Sequence, residues 1–330
     1  MGRCNIDPIW QNASAASNLS ADLTNAAPGH VMRCTVPARQ SLFQSKSNGF
    51  PEGEGYTKSI GVLVCFALST LTKQTIDTQL PPSMNLIVAG STGFVATELI
   101  RQALSNPAVK SIAALARRET AVPANPGENA DPTKLKSVVC DDFLNYSESV
   151  KKELENADAC IWLIAVTPSQ LKQMTLDEAR KICLDYTVAG IETITKLPRE
   201  NSAKPFRFLY ISGAKTERDQ TKKPWILGDY CLMRGEAENR VLAFAKASNG
   251  SVEASVAKPG LILAPGRQGP VTQVLSTIGR AIIGLPKVDV SEISATLLDQ
   301  AINGFTKETL ENADLVEIGQ RKLAGGEKSS

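Results

Sequence analysis

Tyr230 and Arg234 stand four residues apart in a stretch with helical patterning, so their side chains share one face of a helix. A phenol beside a fixed positive charge can serve as a general acid, because the cation favours phenolate and draws the phenol pKa down toward neutral. Ser212 ends an apolar, strand-like run, and at the carboxyl edge of a parallel sheet its hydroxyl would be placed to hold a carbonyl oxygen. Each residue also has a plain structural reading. A helical tyrosine often packs its ring in the core, an arginine one turn later is often a surface partner, and serine ends many strands.

A second group of residues carries binding rather than proton transfer. Residues 85–96 read Asn-Leu-Ile-Val-Ala-Gly-Ser-Thr-Gly-Phe-Val-Ala. An apolar strand runs into a glycine turn that opens a helix, the arrangement that cradles a dinucleotide pyrophosphate. Gly90 can take backbone angles closed to other residues, Gly93 lets the chain approach phosphates, and Ala96 permits close helix–strand packing. The backbone N–H groups of Ser91, Thr92, Phe94 and Val95 complete the candidate cradle, since the first turn of a helix faces an anion. An ordinary tight turn is the competing reading of the glycines alone.

Arg117 and Arg118 follow the second apolar strand, where such folds bring the chain to the adenosine ribose. An acidic residue there would accept from the 2′-hydroxyl, whereas guanidinium groups pair with a 2′-phosphate. The pair therefore favours NADP(H) over NAD(H), with a solvated basic turn as the alternative. Asp142, after the third strand, is placed either to meet the adenine edge or to serve as a turn residue.

The elements that must position these groups alternate from residue 84 onward. Strands are expected at 84–89, 111–116, 136–140, 159–166, 207–212 and 252–257, with a short last strand at 315–318. Helices are expected at 97–104, 176–197, 230–247, 271–283 and 293–305. The alternation gives an α/β fold, a doubly wound parallel sheet with helices on both faces and a small C-terminal part over the substrate. Substrate contacts are expected from the 265–270 loop and the helix after it. There Val271, Val274, Leu275 and Ile278 form either a hydrophobic substrate wall or a core-packing stripe.

The chain has 330 residues, 42% of them hydrophobic, enough for one large α/β domain with a substantial core. Its 36 basic and 34 acidic residues leave a net charge of +2, so no strong field favours nucleic acid or an anionic membrane, and a small-molecule partner is expected. The single histidine, His30, lies in an unpatterned stretch, which argues against a His-based metal site, a Ser-His-Asp triad or a Cys-His pair. The seven cysteines are scattered singly and are expected to be mostly reduced and buried. Residues 1–83, rich in Ser, Asn, Ala, Pro and Gly, read as a disordered extension, 84–325 as the folded domain and 326–330 as a polar tail. The apolar segment 60–71 is too short to span a bilayer, so no integral membrane span is expected. Met84 stands directly before the first strand, and the natural chain is hypothesised to begin there, a point that mass spectrometry of the endogenous N-terminus decides.

Several further motifs join these. They are Leu115-Ala116-Arg117-Arg118, Asp142-Phe143, Asp185-Tyr186, Leu209-Tyr210-Ile211-Ser212-Gly213-Ala214, Tyr230 to Glu236, and Lys258-Pro259-Gly260. With the glycine turn, they make the chain from Met84 to about Gly319 resemble the short-chain dehydrogenase/reductase superfamily. The resemblance is to the atypical branch of the Tat-interacting oxidoreductase-like proteins and their fungal mitochondrial-outer-membrane relatives. It implies that Ser212 and Tyr230 match the family's catalytic serine and tyrosine, and that Arg234 stands where the family has its catalytic lysine. It also implies that Ala165, Lys258, Pro259 and Gly260 help to bind the cofactor. Thr187 stands where related enzymes carry an asparagine, and Ala96 in place of a third glycine. Three functions are then in view: an NADP(H)-dependent oxidoreductase, an NADP(H)-binding regulatory module with a protein partner, and a nucleotide-sugar epimerase or dehydratase. The resemblance leaves the cytoplasm and the outer surface of mitochondria both open as locations.

Overall fold

The computed structural model describes residues 83–200, 202–264 and 284–326. The segment 60–71, the expected 271–283 helix, the 265–270 loop and its apolar stripe all lie outside the described residues.

Seven strands form one parallel sheet in the order β3-β2-β1-β4-β5-β6-β9. They are β1 (Met84–Ala89), β2 (Val109–Ala116), β3 (Leu135–Val139), β4 (Ala159–Trp162), β5 (Phe206–Ile211), β6 (Val252–Lys258) and β9 (Thr309–Glu311). This is the doubly wound order of a Rossmann-like α/β fold, and the strand order reverses between β1 and β4. β7 (Leu261–Leu263) and β8 (Lys287–Asp289) make a separate parallel pair.

The alternation of side chains along each strand divides the core in two. Ile87, Ala89, Cys160, Trp162, Phe206, Phe208 and Tyr210 point to one layer. They meet Leu154 of α2 (Glu148–Leu154), Ala179 of α3 (Leu176–Arg180), Ile191 and Ile194 of α4 (Tyr186–Ile194), and Met233, Ala237 and Val241 of α5 (Gly228–Ala247). Leu86, Val88, Ala159, Ile161, Leu209 and Ile211 point to the other. There they meet α1 (Phe94–Ser105), α6 (Val290–Asn303) and α7 (Asn312–Gly326). In α1 the buried residues Ala96, Leu99, Ile100, Ala103 and Leu104 recur at helical spacing, so one stripe faces the sheet. Each fully buried Leu or Ile there contributes roughly 1.5–3 kcal/mol by leaving water.

The structure corrects the sequence reading in four places. β4 ends at Trp162 instead of 166, although Leu163 to Val166 are apolar. Its neighbour β1 turns away at Gly90, and the last rung, Leu163 N to Ala89 O at 2.9 Å, leaves the chain no strand to pair with on that side. The expected 176–197 helix is a continuous helical path only to Ile194, interrupted by a π turn at Lys181–Asp185. The expected strand at 315–318 is helical: Leu315 and Ile318, three apart, are both buried on α7, and β9 just before it takes the sheet edge. Helix α2 has no counterpart in the sequence reading, although Ser147 caps it by accepting from Val150 N at 3.3 Å. Cys140, Cys160, Cys183 and Cys231 are buried and unpaired, as expected for reduced cysteines.

Candidate functional site

The glycine turn sits at the carboxyl end of β1, beside the point where strand order reverses. Gly90 has φ +83°, and a Cβ there would lie 3.1 Å from the Leu163 carbonyl carbon and 3.2 Å from Ile164 N. The position therefore requires glycine both for its backbone angle and for the close passage of the chain leaving β4. Gly93 N donates to Gly90 O at 2.9 Å, closing a tight turn that delivers the chain into α1. Gly93 occupies the N-cap of α1, so no side chain caps this helix, and its first turn holds no acidic residue. Ser91 N donates to Leu115 O at 3.3 Å, so its N–H is engaged within the turn instead of serving the cradle as expected, while the positive end of the helix dipole carries no side-chain cap and suits an anion.

A cleft of about 250 Å³ adjoins the turn, lined among others by Ser91, Thr92, Arg118, Glu119 and Thr120. Its floor is fixed by the Ser91 hydroxyl, buried and 2.6 Å from the Thr120 hydroxyl, and by Thr120 N donating to Ser137 Oγ at 2.9 Å. Arg117 and Arg118 are exposed at the end of β2. No described carboxylate pairs with either guanidinium, so both keep their hydrogen-bond donors for a ligand. Asp142 accepts from Leu144 N at 3.0 Å and from Asn145 Nδ2 at 2.8 Å, and these bonds hold its carboxyl below the usual range. Its contacts are those of a turn residue. Phe94 and Val95 open α1 half-buried, and Ala165 is half-buried just beyond β4.

Helix α5 carries the other candidate groups, and it does so as a polar stripe at i, i+4 and i+8. Tyr230 donates its hydroxyl to Val166 O, beyond β4, at 2.8 Å. Arg234 donates from Nη2 to Ile211 O, the last residue of β5, at 2.5 Å, and its guanidinium stands 5.0 Å above the Tyr210 ring. Glu238, fully buried, accepts the Ser212 hydroxyl at 2.5 Å. The three contacts bind α5 to the carboxyl ends of β4 and β5. The structure thus brings Ser212, Tyr230 and Arg234 to one edge of the sheet.

It also changes what each can do. Burial raises the Tyr230 pKa above its ordinary value, and the Arg234 charge offsets only part of that rise. The expectation that Arg234 would draw the phenol down toward neutral is therefore corrected. Arg234 is only 2% exposed, which removes the reading of it as a surface partner. Burial works to lower its pKa, but Tyr210, Tyr230 and Cys183 around it raise it overall. The π turn places Cys183 here, where its sulfur accepts from Val166 N at 3.3 Å. Thr187 is buried and donates to Cys183 O at 3.0 Å, within its own helix.

Glu238 is the site residue that the sequence reading missed. The available signal was its place eight residues after Tyr230 and four after Arg234, a charged residue on the same inward face. Its Oε1 also accepts from Thr216 Oγ1, while Oε2 faces Arg218 Nε at 2.6 Å and Lys258 Nζ at 3.7 Å. Lys258 donates to Thr216 O at 3.2 Å, so it belongs to this cluster. Pro259 O accepts from Ala214 N at 2.8 Å, and Gly260 N donates to Asn312 Oδ1 at 2.8 Å. Those two bonds anchor the chain that leaves β6 beside the site.

No protein-family model matches the chain. The protein FMP52, mitochondrial, of Candida albicans is 25% identical over 242 residues, 71% of this chain and 94% of that one. Among solved structures, the PhqB reductase domain of Penicillium fellutanum is similar with a TM-score of 0.52 at 18% identity, over 77% of this chain and 72% of that one. MoeE5 in complex with UDP-glucuronic acid and NAD gives 0.50 at 16%, covering 69% and 75%. DesIV, a dTDP-glucose 4,6-dehydratase of Streptomyces venezuelae with NAD and TYD bound, gives 0.50 at 14%, covering 73% and 81%. At these identities the likeness is one of fold, and it agrees with the strand order described above. No helix of the described residues is long and apolar enough to cross a membrane.

Proposed function

We propose that the chain is an NADP(H)-dependent oxidoreductase of the atypical short-chain dehydrogenase type, acting on a small, apolar carbonyl or alcohol substrate. One observation carries the reading. An uncapped helix N-terminus and a glycine at φ +83° stand at the switch point of the sheet, next to a cleft lined by Arg118. A pyrophosphate would face that N-terminus, and Gly90 lets the turn form there by leaving room for Leu163 and Ile164 as the chain leaves β4. The unpaired Arg117 and Arg118 supply the donors a 2′-phosphate needs. The likenesses in fold support a nicotinamide cofactor in general, and MoeE5 and DesIV are both seen with NAD. The preference for NADP(H) rests on the arginines alone.

The nicotinamide, when bound, supplies or takes the hydride. Ser212 orients the substrate oxygen at the end of β5. Tyr230 exchanges the proton after releasing Val166 O, and Arg234 holds positive charge behind it while tying α5 to Ile211 O. An arginine cannot pass on its own proton, so Arg234 acts by charge and position.

A second reading, an NADP(H)-binding regulatory module with a protein partner, is favoured by the raised Tyr230 pKa and the enclosed Arg234. The third, a nucleotide-sugar epimerase or dehydratase, has a retained NAD as its cofactor, and the arginine pair speaks against it. The mitochondrial designation of the Candida relative keeps the mitochondrial outer surface beside the cytoplasm as a location.

Calorimetry of the full chain with NADPH and NADH, followed by NADPH oxidation against aldehydes, ketones and quinones, separates the three. Turnover abolished in Tyr230→Phe supports the enzyme, and tight binding without turnover on any substrate supports the module. Equal affinity for NADH overturns the arginine assignment.

A further inference from the structure

A hydroxyl has one hydrogen to give and two lone pairs to offer. Ser212 Oγ lies 2.5 Å from Glu238 Oε1 and 3.4 Å from Thr216 Oγ1, so its single hydrogen goes to the nearer, charged acceptor, and Glu238 has no exposed surface through which water could compete. Arg218 and Lys258 meet the other carboxylate oxygen and bring only hydrogens of their own, so the carboxylate stays an acceptor. The cluster is built, not incidental. The chain after Ser212 folds back over α5 so that Thr216 and Arg218 both reach Glu238. Gly235, one turn before the middle of the cluster, leaves room for the Glu217 backbone to lie against the helix. A hydrogen bond to a buried charge is stronger than one to a neutral carbonyl, so a ketone cannot easily draw the Ser212 hydrogen away.

We propose that Glu238 is the positioning residue that fixes Ser212 as a hydrogen-bond acceptor. The bound, unreacting substrate is then the alcohol, its oxygen accepting from Tyr230 and its hydroxyl hydrogen toward Ser212 Oγ, in preference to the matching ketone, which can only accept. That hydrogen turns from Ser212 to Tyr230 for the proton exchange. This rests on the oxidoreductase reading above and names the form of substrate that the same site selects. The matching ketone leaves the Ser212 lone pairs facing an oxygen that also has only lone pairs, and that mismatch carries the discrimination.

The test uses the full chain loaded with tetrahydro-NADP, a reduced analogue that cannot give up hydride. Cyclohexanol with cyclohexanone, and 1-phenylethanol with acetophenone, are titrated as shape-matched pairs by ligand-observed NMR. The alcohol of at least one pair is expected to bind about tenfold more tightly than its ketone, the ratio one net hydrogen bond gives. Ser212→Ala should bring the ratio to about one. Glu238→Gln should invert it, because the amide donates to Ser212 Oγ and frees the serine hydrogen. Should Glu238→Gln fail to fold, Ser212→Ala decides, since it leaves Glu238 with Thr216, Arg218 and Lys258. A ketone that binds wild type as tightly as its alcohol overturns the proposal, as does a preference that survives Ser212→Ala or a failure of every probe to bind the loaded protein. If the analogue itself does not bind, the cofactor reading falls first and this proposal with it.

Discussion

Replacing Gly235 by alanine sets helix propensity against packing, and the structure decides the sign. In the middle of α5 alanine is favoured over glycine by about 1 kcal/mol, so local physics alone would stabilise the variant. A methyl at this position, however, would overlap the Glu217 carbonyl oxygen and stand 2.8 Å from Arg218 N. The neighbour is backbone and cannot swing aside, so the 217–218 segment must lift off the helix. Lifting it weakens the bond of Arg218 Nε to buried Glu238 at 2.6 Å. It also strains Glu217 N to Cys231 O at 3.2 Å and Asn239 Nδ2 to Arg218 O at 2.9 Å. A hydrogen bond to a buried charge contributes about 1.5–3 kcal/mol and each neutral one about 1 kcal/mol. After the propensity gain, the variant should be destabilised by about 2–4 kcal/mol, a fall in Tm of roughly 5–15 °C for a domain of this size. Thermal unfolding followed by circular dichroism, with Gly325→Ala as a control in open space, reads it directly. An unchanged or raised Tm for Gly235→Ala would refute the account of how the loop after Ser212 is seated.

Removing both guanidiniums in Arg117→Ala/Arg118→Ala should weaken NADPH binding by about 10–100-fold and leave NADH nearly unchanged, since two exposed, screened guanidiniums together are worth about one charge-assisted bond of about 1.5–3 kcal/mol. Calorimetry checks this, and a parallel loss for both coenzymes would remove the 2′-phosphate assignment. Arg234→Lys keeps the charge but not the planar fork that lies over the Tyr210 ring and reaches Ile211 O, and should cost about 1–3 kcal/mol in urea unfolding. Asp219, held by Thr221 and Lys222, has its carboxyl drawn from 3.8 down to about 2. A depressed folded pKa adds stability that is complete above the ordinary value and is lost as pH falls toward 2. Asp219→Asn should therefore lose less Tm than wild type between pH 4 and pH 2, and identical slopes would contradict the assignment.

Reading the glycine turn from sequence succeeded because its signals are local. Alternating apolar residues, a positive-φ glycine and a helical stripe are all set by near neighbours along the chain, and Gly90, Gly93 and Ala96 stand where those signals place them. The same locality explains the failures. An apolar run cannot tell how far a strand will find partners, so the expected 159–166 strand overshoots β4 by four residues. Two buried residues three apart fit a short strand as readily as α7 when only a few residues are weighed.

The amino-acid sequence by itself determined the β1 to β6 alternation apart from helix α2, the phosphate-cradle candidate and the presence of Tyr230, Arg234 and Ser212 near one edge of the sheet. Only the tertiary structure decided where their hydrogens go. Ser212 meets Glu238 26 residues away, Tyr230 meets Val166 64 residues away, and Arg234 is enclosed rather than exposed. Residue type and spacing state which groups can donate or accept, but a hydrogen bond short enough to direct a proton depends on distances of a few tenths of an ångström. Those distances are set by how α5 packs across β4 and β5, which no stretch of neighbouring residues encodes.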